Sequence, residues 1–247
     1  MEDAARLLDA RILDACAAAE QKDVPRFVGF LNEFEQAQAL RTVQKAGFRC
    51  RLWGGYAQAE RRIFAALPSW ATEDFSDFPI QAVTVHYKPI FQLTHRDFLG
   101  ALMALGIVRE KVGDILVADG YAVVFLHRDI LEYVCAQLKK VGAVGVQLTV
   151  GWDPAPFTAR FEAIRTTVAS ARLDCVVAAL LHTSREKAVA LIRGSSVLIN
   201  SCVCVDVSKR IGAETVLTVS KTGKFIIDDV SGQTKKGRVV LLARKKI

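Results

Sequence analysis

Asp119-Gly120 separates two apolar runs, Asp114 to Ala118 and Tyr121 to His127. A tight two-residue turn needs positive φ at its centre, and Asp-Gly supplies it, so the two runs are expected to pair as an antiparallel hairpin. Upstream, Ile80 to Tyr87 alternates as a strand. His95 to Leu105 follows as a helix, opened by Thr94 with Asp97 and closed by Gly106, with Phe98, Leu102 and Leu105 as its buried stripe. Downstream, Asp129 caps a helix running to Lys140 and ended by Gly142, and Val144 to Val150 forms a last strand. The order is strand, helix, strand, strand, helix, strand, a split βαββαβ pattern.

The flanks of this central pattern differ from it. In the first segment Leu8, Ile12, Ala15 and Ala19 share one helical face. Asp23 with Pro25 predicts a new helix start, and Asn32 with Glu35 a second one close to a capping box. Gly47 ends that helix, Phe48 to Trp53 is strand-like, and a helix is expected from Ala57 to Ala66, stopping before Pro68. Pro68 to Pro79 carries Ser, Asp and two prolines and predicts a linker. The third segment begins near Arg165. Leu173, Val176, Val177 and Leu180 are spaced as an amphipathic helix. Thr183 and Glu186 predict a capping box for a second helix, with Ala188, Leu191 and Ile192 inward and Gly194 as its stop. Strands are expected at Val197 to Ile199, Thr215 to Val219, Phe225 to Ile227 and Val239 to Leu242. The fold class is therefore α+β in three parts: a small, mostly helical domain over 1–78, a ferredoxin-like or RRM-like domain over 79–164, and a basic α/β domain over 165–247.

Charge separates these parts. From Thr166 to Ile247 there are 14 Lys+Arg and 6 Asp+Glu, a net of +8. The preceding 165 residues hold 19 Lys+Arg (33 − 14) and 20 Asp+Glu (26 − 6), a net of −1. An excess confined to one folded segment is the footprint of a surface facing a polyanion. No apolar run approaches the roughly 18 residues needed to cross a bilayer, and the acidic Met1-Glu2-Asp3 start lacks the order of a signal peptide, so a cytoplasmic protein without a membrane partner is expected. The six cysteines form no Cys-x-x-Cys pair. Cys202 and Cys204 alone make a poor zinc site, and all six are expected as reduced thiols. The sequence calls for no cofactor and no metal.

Arg172-Leu173-Asp174, Ser184-Arg185, Ala188, Ile192, Gly194 and Val197-Leu198-Ile199-Asn200 together resemble the S-four RNA-binding domain, named after small-subunit ribosomal protein four. In that family two short helices and a strand turn present a positive surface to folded RNA. Arg185 in the first turn of the second helix suits a phosphate, since unpaired N–H groups and the helix dipole favour an anion there and the guanidinium fork adds a bidentate contact. Lys187 and Arg193 extend the same helix, Arg172 opens the first one, and Lys209, Arg210, Lys221 and Lys224 are expected to add contacts from strands and loops. Asp174 is expected to accept hydrogen bonds at a helix start.

Three further features resemble the YlmH family of bacterial S-four proteins. One is Gly54-Gly55-Tyr56 with Ala59-Glu60-Arg61 and Pro68. Another is Leu93 to Ile115, with His95-Arg96-Asp97, Leu99-Gly100-Ala101, Leu105-Gly106-Ile107 and Gly113-Asp114-Ile115. The third is the position of the basic domain at the end of the chain. The resemblance implies a non-catalytic protein that binds ribosomes, with rRNA and peptidyl-tRNA on large subunits as partners, and a part in translation quality control. Tyr56, Arg61, His95 and Arg96 join the expected RNA contacts, the first two beside a glycine turn where backbone can approach a ligand. Gly120-Tyr121-Ala122-Val123-Val124 echoes an RNA-recognition strand, but Val123 stands where a second stacking aromatic would be, so this domain is expected to read shape or meet a partner.

The alternatives are an RNA-modifying enzyme or a division-associated adaptor. Arg172-Leu173-Asp174 resembles the catalytic Arg-Leu-Asp of pseudouridine synthases, yet it lies inside the S-four helix. Gly142-Ala143-Val144-Gly145 precedes a strand, the reverse of a methyltransferase cofactor loop.

Overall fold

The computed structural model describes residues 2–71, 75–153, 161–220, 222–232, 234 and 237–246. They fall into two compact units, Met1–Phe157 and Thr158–Ile247. The expected boundary at 78 is internal to the first unit, because two sheets share a core across it.

In α1 (Glu2–Lys22) Leu8, Ile12 and Ala19 of the predicted stripe are buried, while Ala15 is half-buried and Cys16 takes the fourth buried place. The helix start expected at Asp23 and Pro25 is instead a strand, β1 (Arg26–Leu31). The residue before a proline avoids the helical region, and proline readily begins a strand. α2 (Glu33–Ala46) has the predicted capping box, in which Asn32 accepts from the backbone of Phe34 and Glu35 while Glu35 accepts from Asn32. β2 (Arg49–Trp53) follows as expected. The helix expected over 57–66 is absent, and β3 (Arg62–Leu67) occupies its second half. β3 is the central strand of the order β1-β3-β2 and is covered on both faces. Phe64 and Ala66 pack with α1 and α2, while Ile63 and Ala65 pack toward the second sheet. A strand buried on both sides loses its alternation, and its alanines then read as helix.

The second sheet comprises β4 (Ile80–His86), β5 (Val112–Ala118) and β6 (Tyr121–His127) with a strand from the end of the unit. Between β4 and β5 lies α3 (His95–Ala104). After β6 comes a 3-10 turn, Arg128–Ile130, and then α4 (Leu131–Gln137), which is shorter than the helix expected to reach Lys140. Lys140 instead enters a small hairpin, β7 (Lys140–Val141) with β8 (Val144–Gly145), which splits the expected last strand and leaves β9 (Gln147–Val150). The order is β5-β6-β4-β9, all neighbours antiparallel. α3 and α4 cover one face through Phe98, Leu102 and Val134. The opposite face, with Ala82, Val123 and Phe125, packs on Phe30, Ile63 and Ala65 of the first sheet. The unit is thus a four-layer stack of helices, sheet, sheet and helices. The stretch expected as a linker takes part in this core, since Phe78 is buried there and Phe75 stacks on Trp53 at 4.4 Å between centroids.

The second unit opens with β10 (Phe161–Val168), which pairs along its length with β15 (Val239–Lys246). β10 is an edge strand with mostly exposed or half-exposed residues, so its sequence shows little apolar alternation. α5 (Leu173–Leu180) and α6 (Arg185–Arg193) follow as predicted. The sheet is completed by β11 (Val197–Ile199), β12 (Cys202–Val203), β13 (Val216–Val219) and β14 (Gly223–Asp229), in the order β10-β15-β14-β13-β11-β12. Leu173, Val176, Val177, Leu180, Ala188 and Ile192 of the two helices share its core with Leu217, Phe225 and Leu241. No helix among the described residues is long and apolar enough to cross a membrane.

Candidate RNA interface

α5 and α6 meet through His182, a residue with φ of 48°, and the two helix starts come side by side. The cap of α6 is Ser184, one residue later than the Thr183 expected. Its hydroxyl accepts from Lys187 N–H at 3.3 Å. The loop after β12 runs along the start of α5. Leu173 N–H donates to the carbonyl of Lys209 at 2.8 Å, Asp174 N–H to that of Val207 at 3.1 Å, and Ile211 N–H to that of Ala171 at 2.8 Å. The first two of these bonds use N–H groups that the start of α5 would otherwise offer to an anion. They also fix Lys209 and Arg210, both exposed, beside Arg172.

Asp174 organises the arginines. Its side chain is 2% exposed, whereas those of Arg172 and Arg185 are 39% and 60% exposed. Arg172 Nε and Nη2 each donate to a different Asp174 oxygen at 3.2 Å. Arg185 reaches Oδ2 through Nε at 2.8 Å and through Nη2 at 2.7 Å. Oδ1 also accepts from Cys175 N–H at 2.9 Å, the helix-start role expected of it. Burial pushes the Asp174 carboxyl pKa up, but the hydrogen bonds and charges of Arg172 and Arg185 outweigh it and hold the group at about 2. One buried carboxylate therefore fixes two guanidinium planes whose outer edges face water. Lys187 and Arg193 are exposed on α6, and Lys224 is half-buried on β14. Lys221 lies outside the described residues.

Of the four residues expected to contact RNA in the first unit, two are turned inward and two are exposed. Tyr56 is turned inward, stacking on Phe125 at 4.9 Å and donating its hydroxyl to Asp114 at 2.8 Å. Arg61 is turned inward as well. Its guanidinium donates to the carbonyls of Phe30 at 2.7 Å, Val112 at 3.0 Å and Arg109 at 3.2 Å, and burial pushes its pKa down. Asp114 completes the lock by accepting from the backbone of Glu60 at 2.7 Å and Arg61 at 2.9 Å. The Gly54-Gly55-Tyr56 and Gly113-Asp114 motifs thus join the two sheets and do not form a ligand turn. A Cβ on Gly55 would stand 2.6 Å from the Phe125 ring, and one on Gly113 2.7 Å from that of Phe30. His95 and Arg96 are exposed at the start of α3, where Asp97 accepts from the N–H and hydroxyl of Thr94.

Comparison with known proteins bears on both units. A family described as the putative RNA-binding domain in YlmH matches residues 73–151. That range covers the second sheet with its helices. The ribosome-associated protein quality control protein P2 of Bacillus subtilis (strain 168) is 32% identical over 216 residues, spanning 86% of this chain and 84% of the relative. A solved structure, the cell division protein ylmH from Streptococcus pneumoniae, superposes with a TM-score of 0.54 at 25% identity, covering 62% of this chain and 94% of that one.

Proposed function

The chain belongs to the YlmH family, and from that premise we propose that it is a non-catalytic RNA-binding protein that works on the ribosome. The observation that carries this reading is the Arg172–Asp174–Arg185 cluster, a pair of oriented guanidiniums with Lys209 and Arg210 beside Arg172. Guanidinium forks match phosphate geometry, and those held in place lose less freedom on binding. The relative's name speaks of ribosome-associated quality control, and the reading extends that role here: rRNA of the large subunit as the docking surface, with peptidyl-tRNA within reach and a cytoplasmic site of action. The basic unit supplies the phosphate contacts, at Arg172, Arg185, Lys187, Arg193, Lys209 and Arg210, and Lys221 and Lys224 extend them.

Sedimentation of lysate through a sucrose gradient tests this. Wild type is expected to travel with large subunits, and Arg185→Ala to bind about tenfold more weakly, the loss of one charge-assisted contact. Lys246→Ala should change little, because an ammonium is a point charge that makes no bidentate phosphate contact. Equal small effects would remove Arg185 from the interface. If wild type stays at the top of a low-salt gradient, the adaptor role suggested by the name of the pneumococcal protein gains instead. A second expectation concerns salt. If four to six phosphates are met, affinity should fall roughly a hundredfold or more between about 50 and 200 mM salt. A flat profile would sink the electrostatic picture.

A further inference from the structure

The first sheet covers only part of the second. Phe125, Val123 and Ala82 lie under it, but among the described residues of this unit nothing covers the far end of the same face. There His86 and Tyr121 stand directly opposite each other on β4 and β6, and Trp152 forms a side wall, packed edge-on against Phe125 at 5.1 Å. The result is a groove of about 410 Å³ lined by His86, Tyr121, Thr84, Thr149, Val123 and Trp152. We infer that this groove takes one unpaired nucleobase of a single-stranded RNA segment, a second RNA contact on a different unit from the arginine cluster. The inference rests on the RNA-binding reading above.

The chemistry selects the occupant. A pleated sheet bearing ring side chains is a flat π surface on which bases stack with little sequence preference. His86 is exposed and its orientation is set, with Nε2 3.0 Å from Thr149 Oγ1. The Thr84 hydroxyl donates to the Gly151 carbonyl at 2.7 Å, which ties the wall segment to the sheet floor. Among the described lining residues there is no lysine or arginine, and Asp153 sits at the rim. A free nucleotide, whose phosphates need neutralising, is poorly served by such a lining. A base whose phosphates run outside the groove needs no cation in the lining and is well served by ring faces on which to stack.

Photo-crosslinking of the full chain to an unstructured oligoribonucleotide carrying 4-thiouridine, with peptide mapping, tests the site. The expected result is a crosslink on the peptides holding His86 or Tyr121. Its yield should fall about fivefold in Tyr121→Ala and in His86→Ala, the lower end of what one stacked base contributes. Tyr121→Phe should keep it. His86 is exposed, so His86→Ala is not expected to compromise folding and guards against a misfolded Tyr121→Ala. Arg185→Ala should leave this crosslink in place. Crosslinks confined to residues 161–246, or a yield indifferent to both alanine variants, would overturn the inference. A persistent crosslink at this groove in a chain that never sediments with ribosomes would support the groove while removing the ribosome.

Discussion

Asp174→Ala is expected to weaken ribosome binding roughly twentyfold, although it raises the net charge by one. Charge arithmetic alone gives the opposite sign, because a carboxylate near a phosphate backbone repels it. The geometry decides the matter. Asp174 is almost fully buried while both arginines reach water, so the carboxylate sits behind the guanidiniums and meets RNA only through them. Removing it frees two long side chains, and each costs about 1 kcal/mol to re-immobilise on binding, which together is roughly a thirtyfold loss in affinity. Relief of repulsion returns a small part of this, because it is screened over a Debye length of about 8 Å. Tighter binding by Asp174→Ala in the same gradient would show that the carboxylate only repels.

The same residue sets a pH dependence. Its pKa is lowered from 3.8 to about 2 in the folded chain. A carboxylate depressed in this way contributes stability that is fully present above the unfolded value and is lost as pH falls through the folded one. The gap corresponds to roughly 2 kcal/mol. The stability difference between wild type and Asp174→Asn, read from urea titrations, should therefore shrink by about that amount between about pH 6 and about pH 2. A difference that does not vary with pH would mean that the ion pairs contribute nothing to folding.

Local signals in the sequence were legible where the chain solves its problems locally. The Asp119-Gly120 hairpin, the Asn32–Glu35 capping box and the Leu173 to Leu180 stripe each involve neighbours a few residues apart, and each stands where expected. Long-range coverage was not legible. β3 reads as helix because a second sheet lies on the face that would otherwise have been polar. β10 reads as nothing because an edge strand shows little alternation. Arg172 and Arg185 were legible as cations, but the pairing of Arg185 with Asp174 spans eleven residues and depends on how α5 meets α6. Tyr56 and Arg61 show the converse error. Polar residues beside two glycines suggest an exposed ligand turn, yet here Gly54 leaves room for Ala59 and the Arg61 carbonyl and Gly55 for the Phe125 ring.

Gly55→Ala should therefore lower the melting temperature of the first unit by about 10 °C. Gly55 has φ of +98°, and its Cβ would meet Phe125 ring carbons at 2.6 and 2.8 Å and the Ile80 side chain at 3.2 Å. The backbone strain costs about 1–2 kcal/mol and the overpacking about 1–3. In a unit of this size each kcal/mol moves the midpoint by roughly 2–4 °C. Phe125 cannot yield easily, since Tyr56 stacks on one side of it and Trp152 meets it edge-on. Gly100→Ala is the matched control with the opposite sign. It lies within α3, has nothing within 4 Å of its Cβ and does not have positive φ, so alanine there should raise the midpoint by a degree or more. Calorimetry of the full chain separates this account from the one in which Gly54-Gly55-Tyr56 brings backbone close to RNA. A turn built for a ligand would lose RNA affinity on Gly55→Ala and melt near wild type. A turn built to join two sheets loses the melting temperature first.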